Sequence, residues 1–311
     1  MDSRLYNLIL EAKETALILV LGPTASGKTR FAIKLAQILN GEIISADSRQ
    51  VYKNMDIGTG KDLFEYKNAA IEYHLIDALE AGQKYNLQQF QLDYNIALEK
   101  IKNQSKKPIL CGGSGLYLEA AIAPKLNTQI PENPSFRATL QSRTLAELNQ
   151  IWVELKQDKR QNYPDLSTHK RAIRAIEIAQ FLIDNPAFNF ATRTIDKYLV
   201  FGIEPTLNQR RKNIEVRLQS RLKNGMIEEV ESLVKAGLSK EELIYYGLEY
   251  KYLALYLYGH LTFEQMYQQL LIAIQQFAKR QMTYFRKMEK EGIKINWFKP
   301  EEINEIYDYQ G

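Results

Sequence analysis

The chain has 311 residues, 45% of them hydrophobic and 25% charged, which suits a soluble globular protein holding one large domain or two modest ones. A formal charge of +4 is compatible with a polyanionic partner without requiring one. A single cysteine, Cys111, excludes an intrachain disulfide and any cysteine-built metal site, and the absence of an 18-residue apolar run argues against a membrane helix.

In chain order, the N-terminus carries Asp2, Glu11 and Glu14 where a signal peptide would need basic residues before an apolar core. A cytoplasmic monomer with no membrane contact is therefore expected. Residues 16–21, "ALILVL", predict a buried strand of a parallel sheet. Residues 28–39, "KTRFAIKLAQIL", set Phe31, Leu35 and Ile38 on one face and predict a helix. A second strand is expected at 42–47 ("EIISAD") and a third at 108–113 ("PILCGG"). Between them, residues 86–104 carry Leu87, Phe90, Tyr94 and Leu98 at helical spacing. The alternation implies an α/β fold, a doubly wound parallel sheet with helices on both faces.

Residues 123–136 contain three prolines and read as a connecting stretch. Helical spacing follows from 137 to 185, a returning strand at 198–203 ("YLVFGI"), and helices beyond 207 that Gly225, Gly237 and Gly259 are placed to terminate. The expected division is a catalytic core of 1–123 and 168–311, largely helical in its C-terminal third, with a helical insertion at 124–167.

Four stretches carry chemistry. "GPTASGKT", Gly22, Pro23, Thr24, Ala25, Ser26, Gly27, Lys28 and Thr29, has the spacing of a P-loop phosphate cradle between a strand and a helix. Backbone N–H groups and the helix N-terminus attract an anion there, Lys28 reaches phosphate oxygens, and the Thr29 hydroxyl suits Mg2+. Alone, the motif fits a small-molecule kinase or NTPase, ATP-binding included, as well as any other phosphate ester. "SADSRQVYKNMDIGTGK" (45–61) puts Asp47 at the carboxyl edge of a strand, where an acid can hold Mg2+ through water, take a proton, or merely cap a turn. Its Gly58, Gly60 and Lys61 add a second glycine-rich stretch and a cation near the phosphate edge.

"CGGSGLY" (111–117) resembles a serine nucleophile elbow but has Leu116 where that motif needs glycine, so Ser114 reads as a hydroxyl donor. Cys111 reads as a buried strand end. "HKRAIRAIEI" sets Lys170, Arg171 and Arg174 on neighbouring turns, with Ile173 and Ile176 opposite. "QFAKRQMTYFRK" interleaves Lys279, Arg280, Arg286 and Lys287 with Phe277, Tyr284 and Phe285. Both fit a nucleic-acid surface or a solvated helix face. His74 and His169 have no metal-ligand spacing with any partner. The 19 tyrosines can stack on bases or pack helix interfaces.

GPTASGKT, ADSRQVYKNMDIGTGK, YHLID (73–77), GGSGLY, KRAIRAIEI and AKRQMTYFR occur in this order, and together they resemble the tRNA dimethylallyltransferases, or tRNA isopentenyltransferases, from about residue 16 to 299. The resemblance implies transfer of a dimethylallyl group from dimethylallyl diphosphate, with Mg2+, to N6 of adenosine 37 in the anticodon stem-loop of tRNAs reading codons that begin with U. It implies Asp47 as general base, with Lys28, Thr29, Ser114 and Arg217 on the departing diphosphate. The implied tRNA contacts are Asp47, Ser48, Arg49, Gln50, Ser114, Arg137, Lys170, Arg171, Ala172, Ile173 and Arg174, with the insertion gripping tRNA. The sequence departs from the family pattern at Ser114, usually threonine, at Ser167-Thr168, usually Asn-Asp, and at Ile274-Gln275, usually Thr-Arg. "YYGLEYKYL" (245–253) matches its glycine-tyrosine segment only loosely. The diphosphate side is thus closer to the pattern than the acceptor side, and an adenylate prenyltransferase acting on a free nucleotide stays open as an alternative.

Overall fold

The computed structural model describes residues 3–123, 126–155, 164–189, 195 and 197–308. These form two compact units: Met1–Ala123 with Thr194–Gly311, and Pro124–Arg193.

The first unit opens with α1 (Ser3–Glu14), an element absent from the sequence-based expectation although its buried Leu5, Leu8, Ile9 and Ala12 recur at helical spacing. It continues through β1 (Leu17–Leu21), α2 (Lys28–Leu39), β2 (Gly41–Ser45), α3 (Leu63–Asn68), β3 (Tyr73–His74), α4 (Leu87–Asn103), β4 (Lys107–Gly112) and α5 (Gly115–Ile122). The second unit holds α6 (Pro134–Leu140), α7 (Leu145–Leu155) and α8 (His169–Asp184). The chain returns to the first unit at β5 (Tyr198–Ile203), then α9 (Leu207–Lys223), α10 (Met226–Lys235), α11 (Lys240–Tyr245), α12 (Leu248–Leu257), α13 (Phe263–Lys290) and β6 (Asn296–Phe298). Gly225, Gly237 and Gly259 follow α9, α10 and α12, in keeping with their spacing.

Among the described residues, six strands run parallel in the order β3-β2-β4-β1-β5-β6. β1 lies between β4 and β5, with Val20 opposite Cys111 on one side and Phe201 on the other. The period of two in β1 divides the core. Leu17, Leu19 and Leu21 join Leu98 of α4, Leu118 of α5 and Phe285 of α13, whereas Ile18 and Val20 join Leu5 of α1 and Phe31 and Leu35 of α2. Both faces are therefore covered, which is why the central strands read as unbroken apolar runs. The doubly wound expectation holds.

The boundary of the insertion differs. The sequence places its end at 167, but α8 packs Ala172, Ile173 and Ile176 onto Leu140 of α6 and Leu148 and Trp152 of α7. Those helices bury one another's apolar faces, so α8 belongs with the second unit, which reaches residue 193.

Candidate functional site

β1 ends at Leu21, and the chain turns through the cradle before α2 begins at Lys28. Gly27 adopts φ 86°, a left-handed backbone that a Cβ would strain, and caps α2 without a side-chain hydrogen bond. The first N–H groups of α2 are thus left for an anion. Ser26 is buried, and its Oγ has no hydrogen-bond partner among the described residues. An orphan hydroxyl inside a phosphate-type turn is a polar atom waiting for a ligand.

The loops after β2 and β4 meet the cradle along the carboxyl edge of the sheet, where ligands of open α/β folds collect. A cavity of about 720 Å3 opens there. Its wall includes the expected Thr24 to Thr29, Asp47, Ser48, Arg49, Gln50, Ser114 and Arg217. Gly22 and Pro23 are buried behind it. Tyr245, Tyr284, Phe277 and Leu248 add apolar and aromatic surface to its lining. Tyr117, Tyr246 and Tyr250 also border it but are buried in the core, as are Tyr52, Tyr66, Tyr85 and Tyr94.

Asp47 lies two residues beyond β2, in a turn where its Oδ1 accepts the Arg49 N–H at 2.8 Å. The turn-capping role is real, and it fixes the carboxylate in the cavity wall. Gln50 is pinned: its Oε1 accepts from Ser45 Oγ at 2.8 Å and its Nε2 donates to the Gly60 carbonyl at 2.9 Å. The Arg49 guanidinium stacks over Tyr245, 4.7 Å from the ring centre.

Cations gather on the cradle. Arg217 of α9 donates to the Thr24 hydroxyl. Burial, aided by the neighbouring Arg221, pushes the Arg217 guanidinium down to about 10, so it keeps its charge at neutral pH. Burial also lowers Lys28, with Arg217 acting the same way and Asp47 and Asp62 opposing. Both cations are therefore partly desolvated, which strengthens their attraction for an anion. Glu249, raised by burial against the pull of Arg221 and Arg217, lies 3.8 Å from Arg221.

The expectation for Lys61 is corrected. Lys61 is buried, with Nζ donating to the Tyr52 carbonyl at 2.7 Å and paired with Asp56 and Asp77, so it serves the loop rather than a phosphate. The "DIGTG" stretch does bind an anion, but a resident one. The N–H groups of Asp56, Ile57 and Gly58 donate to the Glu229 carboxylate of α10 at 2.7, 2.7 and 3.0 Å, and the Tyr250 hydroxyl donates to it at 2.7 Å. Cys111 is buried, its thiol pushed up to about 12 by burial, as expected of a strand residue and not a nucleophile.

In the second unit, Lys170 and Arg171 are exposed on α8, Arg171 paired with Asp165 at 2.5 Å. Arg137 and Arg174 are instead tied to the buried Glu177, Arg137 through Nε at 2.9 Å and Nη2 at 2.7 Å. Arg174 also donates to the carbonyls of Asn127 and Ile130 at 2.8 and 2.6 Å. The resemblance places Ala172 and Ile173 among the tRNA contacts, but their side chains are buried in the apolar core of this unit.

Sequence reasoning missed Gln281, Arg221 and Glu249, all of which line the cavity, and Glu229, which holds a loop beside it. Gln281 lies in a motif of the family pattern, "AKRQ", yet only its distance to the cradle reveals its use. Among the described residues no group of three or more His, Cys, Asp or Glu side chains is arranged to hold a metal, and no helix is long and apolar enough to cross a membrane.

A P-loop-spaced turn on the carboxyl edge of a parallel sheet, with a carboxylate and buried cations around one cavity, defines a P-loop-type α/β protein. The profile of the IPP transferase family matches residues 50–288. The chain is 49% identical to a tRNA dimethylallyltransferase 1 of Azobacteroides pseudotrichonymphae genomovar. CFP2, over 96% of this chain and 97% of that protein. It is 48% identical to one from Parabacteroides distasonis, over 92% of each. The crystal structure of a tRNA delta(2)-isopentenylpyrophosphate transferase from Staphylococcus epidermidis superposes with a TM-score of 0.65 at 28% identity, covering 94% of this chain and 96% of that one. The chain belongs to the IPP transferase family.

Proposed function

We propose that this protein transfers the dimethylallyl group of dimethylallyl diphosphate to N6 of adenosine 37 in tRNA. The observation that carries the reading is convergence: the cradle, Asp47, Ser114 and Arg217 line one cavity that aromatic side chains also line. Such a wall suits an isoprenoid chain and an unstacked base, and a purine acted upon at N6 has to leave the base stack to be reached.

In the proposed step, the N6 nitrogen forms a bond to the allylic carbon as the carbon–oxygen bond to the diphosphate breaks. The electron pair leaves on the diphosphate oxygen, and the N6 proton passes to Asp47. Negative charge grows on the leaving group, so the desolvated Lys28 and Arg217 and the Ser114 hydroxyl stabilise the transition state more than the ground state. The orphan Ser26 hydroxyl, close in sequence to Thr29, fits a diphosphate with its counter-cation. Mg2+ would be held by Thr29, with Asp47 within reach through water, and would supply further charge neutralisation for the leaving group. On the acceptor side, Lys170 and Arg171 are the candidates for the tRNA backbone, and the enzyme is taken to act as a monomer.

Incubation with labelled dimethylallyl diphosphate, Mg2+ and either unmodified tRNA or AMP tests the reading. Label in tRNA supports it. Label in AMP alone makes the protein an adenylate prenyltransferase, and label in neither, with ATP hydrolysis, makes it an NTPase.

A further inference from the structure

Gln281, on α13, is among the few buried polar side chains, 7% exposed. Both ends of its amide are engaged. Oε1 accepts the Thr24 N–H of the cradle at 2.8 Å, and Nε2 donates to the Gly113 carbonyl at 3.0 Å, one residue before Ser114. The cradle leaves β1 and the Ser114 loop leaves β4, two strands paired side by side. The fit is close from the other side too: a Cβ on Gly113 would stand 2.2 Å from the Gln281 amide nitrogen.

We propose that Gln281 is a positioning residue that sets the cradle in register with the Ser114 loop, so that both address one diphosphate. The proposal rests on the prenyl-transfer reading for the identity of the ligand. Its chemistry is particular to an amide of this length. The site needs an acceptor for an N–H and a donor for a carbonyl on one planar group, which glutamate, lysine and leucine each fail to supply. Asparagine is one methylene short. With its N–H on Gln281 and its hydroxyl on Arg217, Thr24 is a fixed point of the cradle, leaving the later N–H groups to meet the anion.

Binding of inorganic pyrophosphate, measured by calorimetry between pH 6 and pH 9, isolates this role from turnover and from tRNA. Gln281→Ala is expected to weaken pyrophosphate at least tenfold at every pH. Gln281→Glu keeps the acceptor but sets a second oxygen against the Gly113 carbonyl. Its deficit relative to the wild type should shrink as pH falls, because a carboxyl buried against a carbonyl takes up a proton and then donates. Affinity for tRNA should stay within twofold for both variants, while the donor KM rises and kcat falls. Binding by Gln281→Ala within twofold of the wild type overturns the proposal. So does a Gln281→Glu deficit that tracks the alanine variant at all pH values. Should the alanine variant fail to fold, the near-isosteric Gln281→Glu and Gln281→Met carry the test, and a Gln281→Met protein that binds like the wild type likewise overturns it. A wild type that binds pyrophosphate but prenylates no tRNA refutes the proposed reaction and leaves Gln281 tested on its own.

Discussion

Removing the Glu229 carboxylate tests whether the Asp47 loop is held from outside the cavity. Glu229 accepts three consecutive backbone N–H groups, from Asp56, Ile57 and Gly58, and the Tyr250 hydroxyl. Hydrogen bonds to a charged group contribute about 1.5–3 kcal/mol each when water cannot replace them. Here the Asp56 end of the set is exposed and hydrates readily, whereas Gly58 and Tyr250 are more enclosed. Counting the two enclosed partners fully and the rest as replaced by water gives a loss of about 3–6 kcal/mol for Glu229→Ala. Glu229→Gln should lose less, since its amide oxygen still accepts while its NH2 group faces backbone donors. The same loop feels the loss at the site, because the Gly60 carbonyl holds Gln50, three residues from Asp47. Urea unfolding monitored by circular dichroism, with kcat/KM on tRNA measured in parallel, gives both numbers. An alanine variant within about 1 kcal/mol of the wild type would show that water substitutes for the carboxylate, and the reasoning would be refuted.

Asp47→Asn should lower kcat by roughly a hundredfold to ten-thousandfold while tRNA affinity is kept, and single-turnover transfer at the wild-type rate would remove Asp47 as the base. Lys170→Ala with Arg171→Ala should reduce the slope of log affinity for tRNA against log salt by about 0.7–0.9 for each phosphate that is no longer neutralised, and an unchanged slope moves the tRNA surface elsewhere. Glu177 is held below the ordinary carboxylate range. Burial alone would raise it, but hydrogen bonds from Arg137, the Asn133 N–H and Arg174 outweigh burial. A depressed folded-state value means that the stabilisation is complete above the unfolded value of about 4.3 and is lost as pH falls through the lower folded one. Thermal melts of the wild type and Glu177→Gln should therefore differ most near neutral pH and converge in acid, and a gap that stays constant from neutral pH into acid contradicts the assignment.

Much of the core was legible because its signals are local. β1, β4 and β5 are unbroken apolar runs, since each is covered on both faces, and α2 and α4 show a single apolar stripe. β3 and β6 escaped because two or three residues give no period to read, and they exist through pairing with β2 and β5. The cradle was legible for the same reason as β1: its motif is one contiguous run of residues. The site's other parts are not contiguous. Gln281 stands 257 residues from Thr24, and Glu229 stands 171 to 173 residues from the N–H groups it accepts.

Charge was the least reliable guide, and the reason is physical. A lysine or arginine in sequence has the same charge whether it meets solvent, a phosphate or a carboxylate of its own chain, and only the fold decides which. Lys61 reads as a phosphate-edge cation and is consumed by Asp56 and Asp77. Arg174 reads as an RNA contact beside Lys170 and Arg171, yet it faces Glu177 three residues on, because the i,i+3 spacing that sets it one turn away also aims it at the buried acid. The glycine-rich "DIGTG" stretch, for which the sequence names no ligand, turns its backbone donors to a carboxylate of its own chain, Glu229. Which anion such a loop meets depends on acids elsewhere in the chain: Glu229 accepts from this one, whereas at the cradle the Ser26 hydroxyl is left without a partner among the described residues.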